Sequence, residues 1–121
     1  MKRDLELIRD ILIKMEESDA DRMSISDFMT DVYDERTISY HLQLLLDVGF
    51  IEATPMGVQR CLYKHYIVKR ITSFGYDYLD NIRDDTVWNK TKKQLGNFAS
   101  SASLKVIGSV ASSVILKMIG V

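Results

Sequence analysis

Residues Arg36 to Ile51 read RTISYHLQLLLDVGFI, and this stretch decides the architecture. Ile38, Leu42 and Leu45 recur at the three-to-four spacing that places side chains on one face of an α-helix. Gly49 follows the last turn, where a left-handed residue closes a helix at little steric cost, and Phe50-Ile51 resumes as β-prone chain. The pattern predicts a helix with a buried aliphatic face and an outer face led by arginine, feeding directly into a β-hairpin.

Upstream, residues 4–18 are amphipathic. Leu5, Ile8, Leu12 and Met15 form the apolar row, while Arg9, Asp10, Lys14 and Glu17 face outward. A second short helix is expected from a Ser26 cap through Tyr33, with Asp27 in its first turn and Phe28, Met29 and Val32 as its apolar side. Joined to the helix that follows by Asp34-Glu35, it makes a helix-turn-helix. Downstream, residues 50–54 and 61–71 are β-rich and flank Pro55-Met56-Gly57, a turn signal, so a two-stranded wing is expected with its tip between Thr54 and Arg60. Thr72 or Ser73 starts another helix, in which Gly75 permits close approach to a neighbour and Leu79 and Ile82 face inward. Asp84-Asp85-Thr86 opens a helix carrying Val87 and Trp88. The fold class expected is mainly α with a small β-hairpin (α+β): a winged helix-turn-helix followed by additional C-terminal helices.

Residues 1–95 are read as the winged-helix domain with its following helices, 96–103 as a small polar linker, and 104–121 as an apolar C-terminal helix. In that helix Leu104, Ile107, Ala111, Val114, Met118 and Val121 are spaced three, four, three, four, three, a heptad seam. A helix with so little charged surface needs a cover. Self-association is the first expectation, docking on its own domain the second and membrane contact the third.

At 121 residues, nearly half apolar, the chain suffices for one domain with an appended element. The single cysteine, Cys61, excludes an intramolecular disulfide and a cysteine-based zinc knuckle. The charged opening MKRDLELIRD has no apolar core of a signal peptide, so a cytoplasmic protein is expected. Met1 to Val48 carries six Lys or Arg against twelve Asp or Glu, a net of −6, and the remainder ten against five, +5. No acid follows Asp85.

The opening MKRDLELIRDIL, the central ISYHLQLLLDVGFIEA and the run VKRITSFGYDYLDNIRDDTVWNK (Val68 to Lys90) resemble a family of small winged-helix proteins, domains of unknown function from Firmicutes, their phages and prophages. The resemblance implies a fold and a phage or prophage setting, and no activity. It spans most of residues 1–95. The central segment is also similar to the recognition helix of small bacterial repressors, where a T-[VI]-S-x-H-L-x-x-L pattern precedes glycine and an apolar strand.

Repressor-like docking would present Arg36, Thr37, Tyr40 and Gln43 to the major groove, with Ser39 near a phosphate. In the wing, Gln59, Arg60 and Lys64 would reach the backbone or minor groove, joined by Lys69 and Arg70. Against this stands the acidity of Asp27, Asp31, Asp34, Glu35 and Asp47, because phosphate neutralisation supplies most nonspecific affinity. The expected function is therefore that of a non-enzymatic, oligomeric DNA-binding regulatory protein. The alternative is a protein-interaction adaptor using the same face, and a second alternative is a membrane-surface protein anchored by the last helix. His41 is read as packing beside the core. Cys61 and His65, four apart on a strand, lack further ligands, so no metal is assigned, and no cofactor or catalytic set is expected.

Overall fold

The computed structural model describes residues 1–57 and 61–121. Its elements are α1 (Leu5–Glu17), a 3₁₀ turn (Ile25–Phe28), α2 (Glu35–Asp47), β1 (Ile51–Met56), β2 (His65–Ile71), α3 (Ser73–Ile82), α4 (Asp85–Leu95), a second 3₁₀ turn (Gly96–Phe98) and α5 (Leu104–Met118). The protein is thus mainly helical with one antiparallel hairpin, as the sequence predicts. Two compact units result, Met1–Gly75 and Tyr76–Val121, and the division falls inside α3 rather than at the polar segment 96–103.

Short polar side chains start the helices, because the first turn leaves amides without partners. Asp4 accepts the amides of Glu6 and Leu7 at 3.0 and 3.1 Å, Asp34 that of Thr37 at 2.9 Å, and Thr72 that of Gly75 at 3.2 Å. Asp84 and Ser103 do the same for Val87 and Val106. Gly49, at φ +74°, closes α2: its amide bonds Leu46 O at 3.0 Å, and the Phe50 amide bonds Leu45 O at 2.9 Å. The chain thereby turns straight from α2 into β1.

In the first unit the aliphatic row of α2 behaves as predicted, with Ile38, Leu42 and Leu45 fully buried and Ile51 nearly so. Each such side chain contributes about 2 kcal/mol by leaving water. The stripe on α1 is rotated from the expected one: Leu7 and Ile11 join Ile8 and Leu12 inside, while Leu5 and Met15 are only half-buried. Lys14 and Asp10 pair at 3.2 Å on the outer side.

The expected second helix is a single 3₁₀ turn. Asp27 takes the Ser24 amide at 2.7 Å, so the cap is Ser24 and not Ser26. Phe28 is buried, but Met29 and Val32 are exposed, and the chain leaves the turn without a helical row to bury. Just before this turn Met23 exchanges two amide bonds with Val68 of β2, at 2.9 and 2.8 Å, adding a one-residue third strand.

β1 pairs with β2 from Ile51↔Ile71 to Met56↔His65, with an irregularity at Glu52/Ala53. Pro55 and Met56 belong to the strand instead of the turn, and β2 starts at His65 rather than Cys61. A proline is tolerated there because β1 has a free edge that requires no amide.

Asp4 ties three segments of this unit together. Its carboxylate caps α1 and accepts the Tyr33 hydroxyl at 2.9 Å, and its own amide donates to His41 on α2 at 2.8 Å. Burial, then the Asp4 bond, push the Tyr33 hydroxyl up to about 12. Tyr33→Phe is expected to cost about 1 kcal/mol of stability, measured by urea denaturation, because one hydrogen bond is lost with little change of shape. An unchanged midpoint would mean that Asp4 needs no such partner.

In the second unit, Tyr78, Leu79, Ile82, Val87, Trp88 and Leu95 are buried together with Leu104, Ile107, Ala111 and Val114 of α5, which packs on α4. The expectation that the heptad seam is open to a second copy is corrected at these last four positions, which the chain covers itself. Only Met118 and Val121 of the seam stay exposed. Among the described residues no helix is long and apolar enough to cross a membrane.

Candidate interaction groove on helix α2 and the hairpin

The outer face of α2 carries Arg36, Tyr40, Gln43 and Asp47 at intervals of three or four, because Ile38, Leu42 and Leu45 hold the opposite face in the core. Beside it runs the chain entering β2. Between them lies an open groove of about 500 Å³, lined by Met1, Arg36, Ser39, Tyr40, Gln43, Leu62, Tyr63, Lys64 and Tyr66. Arg36, Ser39, Tyr40, Gln43 and Lys64, singled out from the sequence, therefore do converge.

They are not equally available. Ser39 is buried and donates its hydroxyl to Lys64 O at 2.6 Å, so its expected place near a phosphate is corrected: it anchors the hairpin to the helix. Gln43 is committed at both ends. Its amide nitrogen donates to Asp47 at 2.8 Å and its oxygen accepts the Tyr66 hydroxyl, which leaves no free bidentate edge for a base. Thr37 gives its amide to the Asp34 cap, and its carbonyl accepts from the His41 ring at 2.8 Å. Arg36, Tyr40 and Lys64 remain exposed. Gln59 and Arg60 lie outside the described residues. Arg70 is held by Glu52 at 2.6 Å, at the end of the hairpin away from its tip, while Lys69 is exposed.

Four groove residues, Met1, Leu62, Tyr63 and Tyr66, do not stand out in the sequence, and the two tyrosines bond to α2. Tyr63 donates its hydroxyl to Glu35 in the first turn of α2, and this bond is the main reason its hydroxyl is pushed up to about 12. Tyr66 is buried and touches Gln43, and burial chiefly raises its hydroxyl above the ordinary tyrosine value. Alternation along β2 places Tyr66 and Val68 on one face, a signal that the residue pattern does contain.

Carboxylates frame the groove. The Thr37 amide and hydroxyl, with Arg36 adding a smaller pull, hold the Asp34 carboxyl below its usual range. Asp34 and Glu35 thus set two carboxylates beside Arg36 at the start of α2, and Asp47 lies at its other end, beside Gln43. At the hairpin, Cys61 Sγ lies 3.4 Å from His65 Nε2, and the Tyr63 and His65 rings are 5.2 Å apart. Among the described residues no three His, Cys, Asp or Glu side chains gather as a metal site.

Residues 2–102 match the family described as Hypothetical protein (DUF2513). The chain belongs to that family. A relative from Haemophilus influenzae, described as an uncharacterized protein, is 36% identical over 108 residues, which is 88% of this chain and 89% of the relative. The family match takes in every groove residue except Met1 and ends just before α5. No solved structure matches.

Proposed function

We propose that the first unit is a winged-helix module that binds double-stranded DNA in a regulatory role, with α2 as the reading helix and the hairpin as the wing. The observation that carries it is the convergence of exposed Arg36, Tyr40 and Lys64 on one open groove whose floor is locked by Ser39 and Gln43. The order helix, bridging residue, short turn, helix and hairpin supports the winged-helix assignment. Arg36 makes the contact that discriminates sequence, since a guanidinium can bond both acceptors on a guanine edge. Lys64 and Lys69 meet phosphates. A phage or prophage setting rests on family resemblance alone, and the Haemophilus relative extends the sequence similarity beyond Firmicutes without bearing on that setting.

The carboxylates beside the groove favour a second candidate, a basic protein partner engaging the same face. A fluorescence-anisotropy titration with mixed-sequence duplex separates the two. On the DNA proposal affinity falls steeply between about 50 and 200 mM salt, and Arg36→Ala weakens it by about tenfold. Absence of binding at the lower salt overturns it and leaves the protein partner.

A further inference from the structure

Most polar side chains along the outer side of α2 are already spent inside the protein. Asp34 holds the Thr37 amide and hydroxyl, and Glu35 accepts the Tyr63 hydroxyl. Ser39 is committed to Lys64 O, and Gln43 to Asp47 and Tyr66. What remains to meet a base edge is Arg36 in the first turn of the helix and Tyr40 in the second, both exposed. These are also the turns that a reading helix pushes deepest into the major groove.

Tyr40 is the less obvious of the two. At 37% exposure its ring is partly seated, standing at 78° to the His41 ring with 5.5 Å between centroids. His41 is itself held at both ring nitrogens, so the ring behind Tyr40 is fixed. A braced aromatic ring presents an apolar wall, and the apolar feature that a base pair offers in the major groove is the thymine 5-methyl group. Four residues separate Arg36 from Tyr40, about 6 Å of helix rise. With the helix lying along the groove, that is roughly two base steps of about 3.4 Å each.

From this elimination we infer that α2 reads two base pairs and no more: Arg36 takes the O6 and N7 acceptors of a guanine, and Tyr40 packs on the methyl of a thymine about two steps away, on either strand. Tyr40 is then a second specificity-determining residue of the groove. The inference rests on the duplex reading proposed above. Lys64, on the hairpin side, adds affinity without preference, because a phosphate is the same at every step.

The test is selection from a pool of randomised duplexes, followed by anisotropy titration of the selected duplex and its base analogues. A guanine and a thymine at that spacing are the expected result. Deoxyuridine in place of the thymine removes the methyl alone and should weaken binding by about fivefold. The analogue 7-deazaguanine, which lacks the N7 acceptor, should weaken it by about tenfold. Tyr40→Ala should erase the deoxyuridine effect and keep the 7-deazaguanine effect, and Arg36→Ala should do the reverse. Tyr40→Phe retains the ring and should retain both, whereas Lys64→Ala should weaken every duplex alike. The two analogues are read on the parent protein, so the result does not depend on any variant folding. Duplex binding without a selected preference, selection of other bases, or a deoxyuridine penalty that persists in Tyr40→Ala would overturn this inference and leave the DNA proposal standing. No duplex binding at about 50 mM salt would overturn both.

Discussion

Gly75→Ala is expected to lower the stability of the protein by about 3 kcal/mol or more, a large fraction of what a domain of this size possesses. A Cβ at this position would stand 2.1 Å from the Phe50 carbonyl oxygen and 2.7 Å from Ile71 Cγ2. Neither neighbour can retreat cheaply. Phe50 O already accepts the Thr72 amide at 2.9 Å, and Gly49 O accepts the Thr72 hydroxyl, so the exit of α2 and the entry of α3 are pinned to each other. Relief requires the first turn of α3 to back away, which would strain the Thr72 cap as well. Gly57→Ala, with nothing within 4 Å of its added Cβ, serves as the control and should move the urea midpoint little. Equal midpoints for both variants would show that the approach at Gly75 is looser than its geometry.

That close approach is legible in the sequence, because a glycine inside an apolar helical run sacrifices helix propensity and so marks a place where a side chain would not fit. The burial of Ile38, Leu42, Leu45 and Ile51 is legible for a related reason: periodicity reports which face of an element leaves water. It does not report what a polar side chain finds across space. Ser39 meets a carbonyl 25 residues away and Gln43 a hydroxyl 23 residues away, so neither is the free reading residue that its place on the helix suggests. The Ser24 cap differs in kind. Ser24 and Asp27 have the reciprocal capping spacing, a local signal, but the apolar Met29 and Val32 that follow favour a longer helix on pattern alone. On α5, the heptad spacing reveals a stripe that needs a cover without revealing that α4 supplies it. Pro55 departs from its turn propensity because its missing amide meets an open edge instead of a partner strand, a distinction that only the pairing of the hairpin makes.

Mild acid is expected to weaken the first unit through His41, and removing that ring is expected to be the second most costly single change. His41 is fully buried, with Nδ1–H donating to Thr37 O and Nε2 accepting the Asp4 amide, both at 2.8 Å. This network requires the neutral ring, since a proton on Nε2 would point at another N–H donor. Burial is the main cause of a pKa held below 6.5, opposed in part by the Thr37 bond and the Asp4 charge. The unfolded chain therefore takes up the proton first. Stability supplied by the neutral ring is complete above about pH 6.5 and declines as pH falls toward the depressed folded value. His41→Ala should cost about 3 kcal/mol, from the cavity and from the part-buried Asp4 amide left without its acceptor. It should also flatten the slope between about pH 7.5 and 5.5, a window chosen above the carboxylates. If that variant does not fold, His41→Gln retains a neutral side chain of similar reach and should flatten the slope by itself. Parent and variants losing stability in parallel across the window would place the acid sensitivity elsewhere, and the Asp4–His41 bond would then be a tether between α1 and α2 with no dependence on protonation.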